Sequence, residues 1–216
     1  VSYAVTHRDR ASPAADLQLS VGVAATTETM GLNPDRDPLC VVQLSAGDGD
    51  AHIVQLDRSS YDCPRLKALL ADPNVVKIFH FARFDLAVLR RYLGLDAAPV
   101  YCTKIASKLA RTYTDRHGLK DLCKELLSVD LSKQQQSSDW GAETLSEAQL
   151  SYAASDVLHL HALRRKLDEM LAREGRADLA KAAFEFVPTR ARLDLGGWAE
   201  ADIFAHRRRR GTLRFG

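Results

Sequence analysis

Three carboxylates and one phenol, far apart in the chain, sit in settings that suit metal-assisted cleavage of a phosphodiester. Glu28 lies in Thr26-Thr27-Glu28-Thr29-Met30-Gly31-Leu32, and Asp85 closes His80-Phe81-Ala82-Arg83-Phe84-Asp85. Tyr152 and Asp156 bracket Tyr152-Ala153-Ala154-Ser155-Asp156. Such cleavage needs a water deprotonated near neutral pH and a stabilised leaving 3′ oxygen. Two divalent cations roughly 3.5–4 Å apart supply both, and Mg²⁺ or Mn²⁺ takes hard oxygen ligands. Carboxylates gathered from separate elements repel one another until a cation neutralises them. Tyr152 and Asp156 share a helix face at i, i+4. A phenol with an ordinary pKa of about 10 suits orienting a water better than acting as a strong base. Each residue alone has a plain structural reading. Glu28 could be a solvated edge residue, Asp85 a helix N-terminal acid, and Tyr152 a core tyrosine with a wet hydroxyl. The set, not any member, points to chemistry.

The elements that must bring these residues together are legible in outline. Leu19 to Ala25, Cys40 to Leu44 and His52 to Leu56 are apolar and β-compatible, and Ser45-Ala46-Gly47-Asp48-Gly49-Asp50 supplies a turn between the second and third. They predict an antiparallel meander with Glu28 at the end of the first strand. Pro64 opens a helix to about Leu70, and Val75 to Phe79 and Val100 to Cys102 read as strands. Arg83 to Leu93, Thr103 to Arg111 and Leu119 to Leu127 have helical spacing, with Gly94 as a stop. Ser146 and Gln149 form a capping-box pair opening one long helix through Tyr152, Asp156 and Leu163. Strands, then strand–helix alternation, then helices predict an α/β fold, a mixed central sheet flanked by helices.

Composition bounds the rest. The chain has 216 residues, 46% hydrophobic and 27% charged, which suits one domain with a substantial core. Residues 1–206 are expected to form that domain, and 207–216, with Arg207-Arg208-Arg209-Arg210, a basic tail. A net charge of +2 gives no global field for polyanions, so contacts with nucleic acid must be local. No apolar run approaches the roughly 20 residues of a membrane span, and Val1 to Gln18 lacks the apolar stretch of a secretory signal. Cys40, Cys63, Cys102 and Cys123 are dispersed, without a CxxC pair, and read as reduced, mostly buried thiols of a cytoplasmic protein.

The quoted segments resemble the three exonuclease motifs of the DEDD superfamily, in the tyrosine-bearing branch that includes ribonuclease D. The segment Lys133-Gln134-Gln135-Gln136-Ser137-Ser138-Asp139-Trp140 is similar to the stretch preceding the third motif. The compact length, Tyr113-Thr114-Asp115-Arg116-His117-Gly118-Leu119 and Asp202-Ile203-Phe204-Ala205-His206 resemble the nanoRNase C type within it. The resemblance implies an RNase H-like fold and a 3′→5′ exoribonuclease that degrades short RNAs, notably dinucleotides, to mononucleotides. It also implies a ring-like homo-oligomer, an octamer among the options. Under it Glu28, Asp85 and Asp156 are metal ligands and Tyr152 positions the attacking water. Leu32 becomes an apolar wedge against the terminal base, with Thr29 and Met30 beside it. His80 and Phe81 line the nucleotide path, and Lys133, Gln136 and Ser138 contact phosphate or support the site. For Leu32 the alternative is a turn residue folded back on the core. For the others it is loop packing and surface hydrogen bonding.

The chain departs from the family at Thr26, where the family places an aspartate that bridges both metals. A neutral hydroxyl offers one weak oxygen and cannot replace a bridging anion, so at least one cation is expected to bind poorly. Two readings follow: an exoribonuclease impaired at Thr26, or a catalytically silent RNA-binding module on the same fold.

Overall fold

The computed structural model describes residues 2–7, 22–132, 134–135 and 137–206. Among the described residues six strands form one sheet: β1 (Ser2–His7), β2 (Val23–Thr29), β3 (Leu39–Ser45), β4 (Asp50–Gln55), β5 (Lys77–Phe79) and β6 (Val100–Cys102), in the order β1-β4-β3-β2-β5-β6. The pairs β2–β3 and β3–β4 are antiparallel, whereas β1–β4, β2–β5 and β5–β6 are parallel. The expected meander is present. The strand β1 is an addition to the expected set, because its polar surroundings hide a short β-compatible run.

Packing explains which segments became strands. Every residue of β3, Leu-Cys-Val-Val-Gln-Leu-Ser, is buried, as a strand paired on both edges and covered on both faces must be. In the β3–β4 turn Gly47 has φ +85°, and a Cβ there would lie 2.8 Å from Cγ of His161. Only glycine fits that turn.

The helices are α1 (Pro64–Ala71), α2 (Ala82–Leu93), α3 (Thr103–Ala110), α4 (Leu119–Leu127), α5 (Glu147–Leu158), α6 (Leu160–Arg173) and α7 (Ala177–Leu193), followed by a π-helical turn Asp194–Trp198. Gly94 ends α2 in the left-handed region, its N–H bonding the carbonyl of Arg90. Ser146 and Gln149 make the reciprocal capping box of α5. The expected single helix through Leu163 is instead two, because the chain turns at His159. The α5 helix packs on β2, β3 and β4, while α6 packs on α3 and α4. Both bury one face, so the apolar period runs on in the sequence through a change of direction.

The four cysteines are buried thiols outside any disulfide. Among the described residues no helix is long and apolar enough to cross a membrane.

Candidate active site

Strand β2 and helices α2 and α5 bring the four predicted residues to one place. Glu28 lies one residue before the end of β2, next to a register shift at Thr29 that ends regular pairing with β3. Asp85 lies in the first turn of α2, where the helix dipole favours a carboxylate. Tyr152 and Asp156 face the same way one turn apart on α5, and Tyr152 packs its ring 6.0 Å from that of Trp140.

Asp85 is only 3% exposed, and Thr27 Oγ1 donates to its Oδ1 at 2.9 Å. Thr26 Oγ1 donates to the same oxygen at 3.5 Å. Thr26 is therefore turned toward another member of the cluster as a hydrogen-bond donor. Gln43, from β3, donates through Nε2 to Glu28 Oε1 at 3.3 Å.

The carboxylates hold protons more tightly than ordinary acids. Burial pushes Asp85 up to about 7, and the hydroxyl and backbone bonds from Thr27 offset only part of it. Burial likewise pushes Asp156 up to about 7, with hydrogen bonding from Tyr152 working the other way. Glu28 is raised well above the usual carboxylate range, first by burial and then by the charges of Asp156 and Asp85. Burial and the Asp156 and Glu28 charges raise the Tyr152 phenol as well, so it stays neutral and acts as a hydrogen-bond donor.

This donor set, one buried and two half-buried carboxylates, each destabilised when ionised, fits a hard divalent cation that restores the missing positive charge. Glu28, Asp85 and Asp156 are the residues that would hold it. They approach one another without converging: among the described residues no three acidic, histidine or cysteine side chains are already poised around one point.

Two clefts meet at Thr26, Tyr152 and Asp156. One, of about 390 Å³, is lined by Glu28, Met30, Leu32, Phe84 and Ser138. Leu32 is 86% exposed, so it is not folded back on the core, and Met30 is also exposed. Thr29 lines the same cleft and its hydroxyl donates to the carbonyl of Gly31, shaping the turn that presents Leu32. The other cleft, of about 290 Å³, is lined by His80, Phe81, Lys104, Lys120 and Ser132. His80 Nδ1 lies 2.9 Å from Thr103 Oγ1, which itself donates to the carbonyl of Phe79. The hydroxyl proton being used, His80 donates through Nδ1 and keeps Nε2 as an acceptor. Burial, aided by Lys104, lowers the His80 pKa to about 3, so the ring is neutral. Phe81 occupies the left-handed region at φ +70° and carries the Lys104 ammonium 4.3 Å from its ring centroid.

The predicted residues thus divide between two clefts, with Tyr152 and Asp156 at their junction, Glu28 on the first cleft and Asp85 buried behind Thr26 and Thr27. Lys133, Gln136 and the tail 207–216 lie outside the described residues. Sequence reasoning missed Thr27, Gln43, Lys104 and Lys120. Gln43 alone left a signal there, as an amide in an otherwise apolar strand core. The others show only once the elements meet.

The family model described as 3′-5′ exonuclease matches residues 7–172. The chain belongs to this family of 3′-5′ exonucleases. Ribonuclease D of Gluconacetobacter diazotrophicus is 41% identical over 140 residues, covering 65% of this chain and 35% of that protein. The chain thus spans little more than a third of that relative. Among solved structures, Brucella melitensis NrnC with bound Mg²⁺ superposes with a TM-score of 0.90 at 54% identity, covering 96% of this exonuclease chain and 100% of the other. Brucella melitensis NrnC bound to pGG gives a TM-score of 0.91 at 56% identity, covering 95% and 99%. The RNase H-like fold expected for such an exonuclease is the one found.

Proposed function

We propose that this chain is a divalent-metal-dependent 3′→5′ exoribonuclease of very short RNAs, above all dinucleotides, slowed by Thr26. The observation that carries the reading is the meeting of two clefts at Tyr152 and Asp156, with Glu28 lining one of them and Asp85 buried behind Thr26 and Thr27. Mg²⁺ or Mn²⁺, held by Glu28, Asp85 and Asp156, supplies activation of the attacking water and charge for the leaving 3′ oxygen. Tyr152 orients the water by donating a hydrogen bond. Leu32 and Met30 pack against the terminal base without reading its identity, and Ser138 lies beside it. His80 and Phe81 border the path of the preceding nucleotide, with Lys104 and Lys120 near enough to meet its phosphates. The pGG carried by the Brucella melitensis protein and the Mg²⁺ in its companion structure support substrate class and cofactor. The reading takes residues 1–206 as one catalytic domain within a ring-like homo-oligomer, which sedimentation of the full chain checks.

The test is incubation with a 5′-phosphorylated diribonucleotide and Mg²⁺ or Mn²⁺. Release of mononucleotides is expected, increased by Thr26→Asp. One observation favours a second reading, a silent RNA-binding module: the Thr26 hydroxyl bonds to Asp85 where a metal-bridging carboxylate would stand. Binding of the dinucleotide without release, unchanged by Thr26→Asp, would establish that reading instead. Equal turnover of the deoxy-dinucleotide would remove the RNA preference.

A further inference from the structure

Gln43 is fully buried at the centre of β3, among Val41, Val42 and Leu44, and is the cross-strand partner of Thr26. A buried amide needs partners on both its oxygen and its nitrogen, and one left unmade is destabilising. Here the nitrogen reaches Glu28 Oε1, while Gln43 Oε1 has no partner among the described residues. A methionine of similar size would fill the same space with no unpaired oxygen, so packing does not explain the amide. Nor does the strand: β3 makes its ladder through the backbone, and its neighbouring core side chains are apolar. What the amide provides is a fixed donor to the acid that the threonines leave to it. Asp85 is held by Thr27 and Glu28 by Gln43.

We infer that Gln43 is a positioning residue that holds the Glu28 carboxylate in place for the divalent cation. It acts through Glu28 and touches neither substrate nor metal. Glu28 is the last residue of β2 before a register shift, and its backbone still pairs with Val41. That pairing fixes the backbone and leaves the long side chain free to turn, and a donor anchored in the middle of the neighbouring strand supplies the missing constraint. The inference rests on the reading of Glu28 as a metal ligand.

The experiment compares Gln43→Met with the unsubstituted chain, each also in a Thr26→Asp background. Free Mn²⁺ is followed by electron paramagnetic resonance, thermal unfolding without metal is recorded, and the metal-free Gln43→Met protein is crystallised. Gln43→Met is expected to weaken Mn²⁺ binding about 10-fold while leaving the metal-free unfolding midpoint unchanged or higher. In the crystal the Glu28 carboxylate should have left its present position. Equal Mn²⁺ affinity, a midpoint that falls along with it, or an unmoved Glu28 would each overturn the inference. If neither the unsubstituted chain nor Thr26→Asp takes up Mn²⁺, the exonuclease reading fails, and the position of Glu28 in the Gln43→Met crystal still decides the role of Gln43.

Discussion

Two buried charged centres in this molecule are built in opposite ways. Arg111 has no exposed side-chain surface, yet every direction it points is met. It donates to Ser107 Oγ at 2.9 Å and the Arg116 carbonyl at 2.7 Å, and it pairs with Glu125, which Tyr113 also bonds at 2.7 Å. Burial works against that guanidinium, but Glu125 and Tyr113 outweigh it and its pKa rises. Hydrogen bonds from Tyr113 and Arg111 hold Glu125 below the usual carboxylate range. Around Glu28, Asp85 and Asp156 no cation among the described residues offsets the burial, and all three acids resist ionisation. The first centre is closed and serves stability. The second is left open to a positive charge from outside, which is how a binding site differs from a structural ion pair.

The largest effect that would sharpen this contrast is on turnover. Thr26→Asp is expected to raise Mg²⁺-dependent release of mononucleotide from a diribonucleotide by on the order of 100-fold, measured under saturating substrate. No gain would mean that the open centre is not limited by missing charge. Next is the closed centre. Arg111→Met should destabilise the chain by about 3 kcal/mol in urea unfolding while leaving Mn²⁺ affinity unchanged; a loss of metal binding would break the separation.

Third comes pH. The folded pKa values of Asp85 and Asp156, about 7, lie above the usual value of an unfolded aspartate. A group of this kind contributes stability that is fully present below its unfolded pKa of about 4. That contribution is lost as pH rises through 7. The metal-free protein should therefore melt at a lower temperature at pH 8 than at pH 5.5, and Mn²⁺ should raise the midpoint more at pH 8. Asp85→Asn should flatten this dependence, which calorimetry across pH would reveal. The smallest effect is at Leu32. Being exposed, it should leave stability within about 0.5 kcal/mol on change to alanine and raise KM roughly 10-fold. An unchanged KM would take it out of the base-packing cleft.

The two centres also differ in how far the sequence discloses them. Glu28, Asp85, Tyr152 and Asp156 are legible because each sits at a readable boundary: a strand end, a helix start, one helix face. The Ser146–Gln149 box marks the start of α5 from residue types and spacing alone. The Arg111 network joins a helix end, a loop and the next helix, and no local pattern marks it. Lys104 and Lys120 belong to the second cleft only because α3, α4 and α5 each contribute a wall to it. The turn at His159 was hidden because apolar spacing records burial of a face and says nothing of direction.

That turn has a consequence for how this chain can change length. Tyr152 and Asp156 sit four positions apart on a 12-residue helix pinned at its start by the capping box and released at His159. One residue inserted between Tyr152 and Asp156 would swing the acid about 100° around the helix axis and out of the cluster. The same insertion at His159 would fall in a joint that already absorbs a change of course, and the acids upstream would keep their places. Insertions and deletions should therefore be tolerated immediately after α5 and nowhere within it.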